Sequence, residues 1–163
     1  MTSDAQHSQT ALAAAAARAA HLLVDGRPFL FVDDLAEALL GEDAAEHLAQ
    51  HRKHGGHPVL WQARAQVACR SRYAEDRLGA AVARGVEQYV ILGAGLDTFA
   101  HRSPLARRLR VFEVDRPATL RWKRRLLERA GIAVPDGVTP VPAELATAGR
   151  CARPASTPAG PRS

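Results

Sequence analysis

The stretch VILGAGLDTFAHR, residues 90–102, carries a short apolar run straight into Gly-x-Gly followed by an acid. Apolar runs that stop this way mark a strand turning sharply beneath a nucleotide, because glycine lets the backbone approach a ligand closely. The run is continuous rather than alternating and β-branched at Val90 and Ile91. That pattern predicts a strand buried on both faces, as in a parallel sheet. The turn therefore commits the chain to the α/β class and raises two questions: which nucleotide, and how much protein surrounds it.

The segments on either side agree with that class. Residues 1–9 are polar and predicted to be disordered, and the alanine-rich run from Thr10 to His21 has strong helix propensity, with Thr10 as its N-cap. DGRP (25–28) reads as a turn. Leu35, Ala38, Leu39 and Leu48 then recur at broadly helical spacing, interrupted at Gly41, and HGGHP (54–58) is a loop. A long helix is predicted from Val59 to Arg84, stopped by Gly85. After the QYVILG strand and a short helical connection, RVFEVD (110–115) is a second strand ending in acids. ATLRWKRRLLERAG is an amphipathic helix with Leu120, Leu127 and Ala130 inward, and 137–145 is a weak third strand that Pro140 and Pro142 confine to an edge or to its ends. Helices followed by β-α-β-α-β form the N-terminal half of a doubly wound, Rossmann-like sheet. Residues 146–163 show no periodicity and are rich in Pro, Ala, Gly, Ser and Arg, so they are read as a disordered or frame-shifted tail. The expected organisation is a helical part (10–85) and a cofactor-binding part (86–145) of one partial domain.

The turn itself narrows the ligand. A dinucleotide fingerprint wants Gly-x-Gly-x-x-Gly, with a helix N-terminus aimed at a pyrophosphate. Gly93 and Gly95 fill the first two places, but Thr98 stands in the third and Asp97 lies between. A carboxylate there suits a cationic amine or ribose hydroxyls better than a pyrophosphate. Glu113 and Asp115 follow at the end of the second strand, where an acid holds ribose hydroxyls. These features point to a nucleoside without phosphates. An NAD(P)-binding oxidoreductase fragment is the alternative that Thr98 disfavours, and a non-catalytic cofactor-binding or interaction module is a third reading.

Two longer stretches carry a family resemblance. RSRYAEDRLGAAVARGVEQYVILGAGLDTFAHR and RVFEVDRPATLRWKRRLLERAGI resemble the class I S-adenosylmethionine-dependent methyltransferases that include leucine carboxyl methyltransferases and polyketide O-methyltransferases. The similarity extends upstream through RAAHLLVDGRPFLFVDDLAEALLG and covers roughly residues 15–145. The resemblance implies S-adenosyl-L-methionine as cofactor and methyl transfer to oxygen or carboxyl of a small molecule. It places Gly93 and Gly95 under the methionine part with Asp97 nearby, and Asp115, with Glu113 adjacent, at the ribose. Arg70 or Arg72 would meet the cofactor carboxylate, and Glu144 and Leu145 would border the adenine. No dedicated catalytic residue is assigned, since the cofactor carries the reactive group. In this family the acceptor pocket draws on the part after the third strand, so the chain is expected to be C-terminally truncated, with weak cofactor binding and turnover in doubt. An unpaired first-strand edge is expected to favour self-association.

Composition excludes other classes. Aromatic residues are only 5% of the 163, alanine supplies much of the apolar content, and nearly all basic residues are arginine, a bias of the kind a GC-rich gene produces. The net charge of +5 is spread through acids, with no Lys/Arg run flanked by stacking aromatics, so no nucleic-acid partner is assigned. The N-terminal apolar run is broken by Arg18 and His21 and has no basic residue before it; neither a signal peptide nor a membrane partner is expected, and a cytoplasmic location is the default. Cys69 and Cys151 form no CxxC pair, and His47, His51 and His54 can share one helix face but have no compelling carboxylate ligand and a glycine loop follows at once, so no metal site is assigned. Asp33 and Asp34 precede an apolar helical run and read as an N-cap. The arginines between 121 and 129 read as a solvated face.

Overall fold

A computed structural model describes residues 9–144. Leu145 and the tail lie outside the described residues, as do residues 1–8. Four helical pieces come first: α1 (Gln9–Val24), a 3-10 turn (Ala38–Asp43), α2 (Ala44–His54) and the long α3 (Pro58–Val82). The Rossmann-like part follows as β1 (Gln88–Leu92), the short α4 (Phe99–Arg102), a second 3-10 turn (Pro104–Arg108), β2 (Arg110–Asp115), α5 (Pro117–Arg129) and β3 (Val138–Pro142). Thr10 lies inside α1 rather than capping it.

The punctuation acts where the sequence places it. Gly41, at φ +69°, kinks the chain within the first 3-10 turn, just ahead of α2. Gly85, at φ +93°, ends α3: its N–H donates to the Val82 carbonyl, and the Val86 N–H donates to Ala81. That pair of bonds is a Schellman closure, which satisfies carbonyls the helix end would leave open.

The three strands are parallel in the order β1-β2-β3, with Tyr89 beside Val111 and Ile91 beside Glu113, and with Val111 beside Val138. Neighbours in register share a face. Tyr89, Ile91, Val111 and Val138 pack with Leu78 and Val82 of α3, Phe99 and Ala100 of α4, and Leu109. A second cluster joins α1, the first 3-10 turn, Leu48 of α2 and Trp122, Leu126 and Leu127 of α5, with Leu96 of the glycine turn among them. Four alanines of α1, at 15, 16, 19 and 20, belong to this core.

Two expectations change here. β1 is not buried on both faces: Val90 is 51% and Leu92 69% exposed, and with Phe112, Val114 and Val141 they form a face that joins neither core cluster. β1 pairs only with β2 among the described residues, so this bare face runs out to an open edge. On α5 the inward set is Thr119, Trp122, Lys123, Leu126 and Leu127, whereas Ala130 is exposed. The buried set keeps the i, i+3, i+4, i+7, i+8 spacing of one helix face; Ala130 would continue it but lies just past Arg129, the last helical residue, and so is left outside the packed stripe. Pro140 and Pro142 do sit on an edge strand, where a missing N–H breaks no inner ladder.

Candidate functional site

At the end of β1 the chain folds back with Gly93 at φ +66° and Gly95 at φ +47°. The turn stays laced to β2, because the N–H groups of Gly93 and Ala94 both donate to the Val114 carbonyl, at 2.8 and 3.2 Å. Asp97 closes it: its N–H donates to Ala94, and its Oδ1 accepts the Phe99 N–H at 2.8 Å. Gly95 is required twice over. Its φ disfavours an L side chain, and a Cβ there would meet the Ala11 Cβ at 3.0 Å. Small residues on α1 are what let that helix lie against the turn.

Asp115, at the tip of β2, holds the turn from the other side. Its Oδ2 accepts the Gly95 N–H and its Oδ1 accepts the Arg116 N–H, both at 2.7 Å. Each carboxylate oxygen keeps a second lone pair, so the group can hold the turn and still accept hydroxyl hydrogens from a ligand.

A cavity of about 470 Å³ opens over this turn, walled by Thr10, Ala14 and Arg18 of α1, by Arg70 of α3, and by Asp97 and Asp115. A recess of about 220 Å³ adjoins it, shares Arg18, Arg70 and Asp97 with it, and runs on to Glu75, Tyr89 and Arg102. Burial, together with the negative charges of Asp97 and Glu75, pushes the Tyr89 hydroxyl above its ordinary pKa, so Tyr89 enters the recess as a neutral hydrogen-bonding group.

The two candidate arginines separate clearly. Arg72 is exposed and donates from Nε to both oxygens of Asp76, at 2.9 Å each, with a further contact to the Leu30 carbonyl. It lines neither the cavity nor the recess. Arg70 lines both and makes no ion pair with a protein carboxylate among the described residues. Two positions along a helix are about 200° apart, which is why neighbours of one type face opposite ways.

Glu113 does not join the turn. Its carboxylate accepts a hydrogen bond from Lys123 Nζ at 2.7 Å and stands 3.9 Å from His101 Nε2, beneath α4 and α5. It points to the same side of the strand as Asp115 but sits two residues back from its tip, where the buried ammonium of Lys123 claims it. This corrects the expectation that Glu113 adjoins a ribose. Burial first, and then Lys123, hold His101 below the usual histidine pKa, with Glu113 opposing. Glu144 is exposed at the last described position, and Leu145 lies outside the described residues.

Sequence reading missed Asp33 and Arg18. Asp33 is not a simple helix cap: besides the Leu35 N–H at 3.3 Å it accepts Arg18 Nε at 2.6 Å and Thr98 Oγ1 at 2.7 Å, fully buried. The available signal was a pair of charges set inside apolar runs, Arg18 among alanines and Asp33 after FLFV. Of the three histidines considered together, His51 is buried against Arg64, with Nδ1 3.4 Å from the guanidinium. Among the described residues no His, Cys, Asp or Glu trio could hold a metal ion, and no helix is long and apolar enough to cross a membrane.

Comparison with known proteins bears on what fits the cavity. The family model for leucine carboxyl methyltransferase matches residues 11–152. YktD of Bacillus subtilis is 35% identical over 161 residues, covering 86% of this chain and 53% of that protein. A Mycobacteroides abscessus protein is 38% identical over 123 residues, 75% of this chain and 40% of the relative. One from Mycolicibacterium gilvum is 44% identical over 79 residues, 48% of this chain and 32% of the relative. All three carry names that describe them, by inference, as S-adenosyl-L-methionine-dependent methyltransferases. The chain spans about half or less of the length of these relatives.

Proposed function

The chain belongs to the leucine carboxyl methyltransferase family, and from that premise we propose that residues 10–145 form part of the domain of an S-adenosyl-L-methionine-dependent methyltransferase, with 86–145 as its cofactor-binding part. The acceptor is proposed to be a small molecule methylated on oxygen or carboxyl, in the cytoplasm. The observation that carries this reading is Arg70, a guanidinium with no protein carboxylate partner among the described residues, facing a cavity floored by two positive-φ glycines. An amino-acid carboxylate is the group such a cation recognises, through charge-assisted and bidentate bonds.

The remaining chemistry of the cavity suits a nucleoside joined to an amino acid. Gly93 and Gly95 turn the backbone along the cavity, with the Cβ side of Gly95 taken by Ala11. Asp97 supplies a carboxylate for the ammonium, Asp115 accepts from ribose hydroxyls, and Glu144 with Leu145 would border the base. When bound, S-adenosyl-L-methionine supplies a methyl group on a positive sulfur that needs no further activation. The chain's own contribution is to hold the two ends of the cofactor, fix their direction and keep water from the transfer line. No proton-transfer residue is required for that.

Nucleic acid is not proposed as the acceptor, because the arginines interleave with acids, as in the Arg72–Asp76 and Arg124–Glu128 pairs. We also propose that the open edge of β1 drives self-association of the isolated polypeptide. Side-by-side calorimetric titration with S-adenosyl-L-methionine and NADH tests the cofactor. Saturable one-to-one binding of the first alone is expected; preference for NADH would overturn the reading.

A further inference from the structure

The glycine turn is held by more than its own strand. Leu96 and Thr98, which flank Asp97, are both tied to one buried charge pair. Arg18 donates through Nη2 to the Leu96 carbonyl at 2.7 Å and through Nε to Asp33 at 2.6 Å. The same Asp33 oxygen accepts the Thr98 hydroxyl at 2.7 Å. Arg102 completes the set: its Nε donates to Thr98 Oγ1 at 3.2 Å and lies 3.7 Å from Asp33 Oδ1. Its other nitrogens pair with Glu75, and its guanidinium stacks 4.6 Å over the Phe31 ring.

The direction of each bond is fixed by this chemistry. A guanidinium can only donate, so Thr98 Oγ1 must accept from Arg102 and spend its single hydrogen on Asp33. A carboxylate taken wholly out of water is held there by several donors at once, and replacing such a group with apolar packing is often neutral for stability. What the arrangement supplies beyond stability is position. It connects α1, the 31–35 segment, α3 and α4 to Leu96 and Thr98, on either side of Asp97 at the cavity wall.

We propose that Asp33 is a positioning residue for the cofactor turn: through Thr98 Oγ1 and the Arg18 bridge to the Leu96 carbonyl, it sets the conformation of residues 95–98. Its effect on binding rests on the reading of that turn as the S-adenosyl-L-methionine site. Its effect on the order of the turn does not.

Two measurements on the full chain separate these. Hydrogen exchange reads the turn directly, and calorimetry reads the cofactor. Asp33→Asn and the near-isosteric Thr98→Val are each expected to speed exchange in the 93–99 segment by about tenfold, the scale of one lost net hydrogen bond, leaving the 110–115 strand unchanged. Thr98→Ser keeps the hydroxyl and is expected to restore the wild-type rate. S-adenosyl-L-methionine should bind the first two variants about tenfold more weakly at unchanged stoichiometry, whereas mere loss of folded protein lowers stoichiometry and leaves affinity alone. Unchanged exchange at the turn, or an equal rise across all segments, overturns the proposal. A loosened turn in a chain that binds no S-adenosyl-L-methionine even as wild type would sink the cofactor reading and leave the positioning role standing.

Discussion

The two ends of β1's neighbourhood are built on opposite terms. At its C-terminal tip, the glycine turn is gripped by β2, by Asp115, by α1 at Gly95 and by the Arg18–Asp33 pair. On its outward face, a few ångströms away along the same strand, Val90 and Leu92 meet no core cluster among the described residues. Shape at the tip is thus fixed by contacts made within residues 9–144, while among those residues the outer face has its pattern but no cover. The shape of the turn and the burial of the sheet are separable properties in this chain.

The largest break in that contrast is expected from Asp115→Ala. It orphans the buried N–H of Gly95, at a cost of about 1–3 kcal/mol, and removes the cap from the N–H of Arg116, which water can reach. A fall in thermal midpoint together with loss of measurable S-adenosyl-L-methionine binding is the expected outcome; intact binding would show that the tip does not depend on Asp115.

Arg70→Ala and Arg72→Ala sharpen the comparison within one helix. Removing the first should weaken cofactor binding by roughly tenfold or more, and removing the second by less than about twofold, since exposed ion pairs contribute little. Equal losses in calorimetry would erase the distinction between the two faces of α3.

On the bare side, Leu92→Lys should change stability by no more than about 0.5 kcal/mol, because the residue is already largely exposed. It should nevertheless lower the mass seen by light scattering, since a lysine on an open edge discourages pairing. A large stability loss would mean that the face is covered after all.

The smallest effect concerns pH and belongs to the anchored side. Burial holds His51 and His101 below the usual histidine pKa, aided by Arg64 and Lys123 respectively. The unfolded chain therefore binds these protons first, so stability is complete above about pH 6.5 and falls as pH drops through that value towards the lower folded pKa values. His51→Gln and His101→Gln should each flatten the thermal midpoint between pH 7.5 and 5.5. Asp25 acts in a separate, more acidic window. The hydrogen bond from Arg64 lowers its pKa, against the opposing effect of burial, so its contribution declines as the pH falls through the normal carboxylate range towards the lower folded pKa.

Much of the fold was legible because it is local. Gly85 and Gly41 act where a φ above zero is needed, and the prolines of β3 sit on an edge. The apolar run of β1 announced a strand, but its periodicity describes what a strand could bury and not which neighbours are present. The site was half legible for the same reason. Gly93, Gly95, Asp97 and Asp115 lie within two short segments, whereas Asp33 meets Thr98 across 65 positions and Arg18 meets Leu96 across 78. No local pattern carries such a pairing, so a buried hub looked like a helix cap. Glu113 misled in the opposite sense, since its distance from the glycines suited a ribose but its partner, Lys123, is set by how α5 packs. The alanines of α1 read as compositional bias, yet Ala11 and its neighbours are small because the helix lies against Gly95 and the core.

The central claim is that the anchored tip of β1 holds the cofactor even though the outer face joins no core cluster among the described residues. Amide chemical shifts of the isotope-labelled chain, followed while S-adenosylhomocysteine is added, test it most directly. Shifts concentrated at Gly93, Gly95, Asp97 and Arg116, with Phe112 and Val141 unmoved, are the predicted result. Shifts centred on the outer face, or none at the glycine turn at saturating ligand, would contradict it.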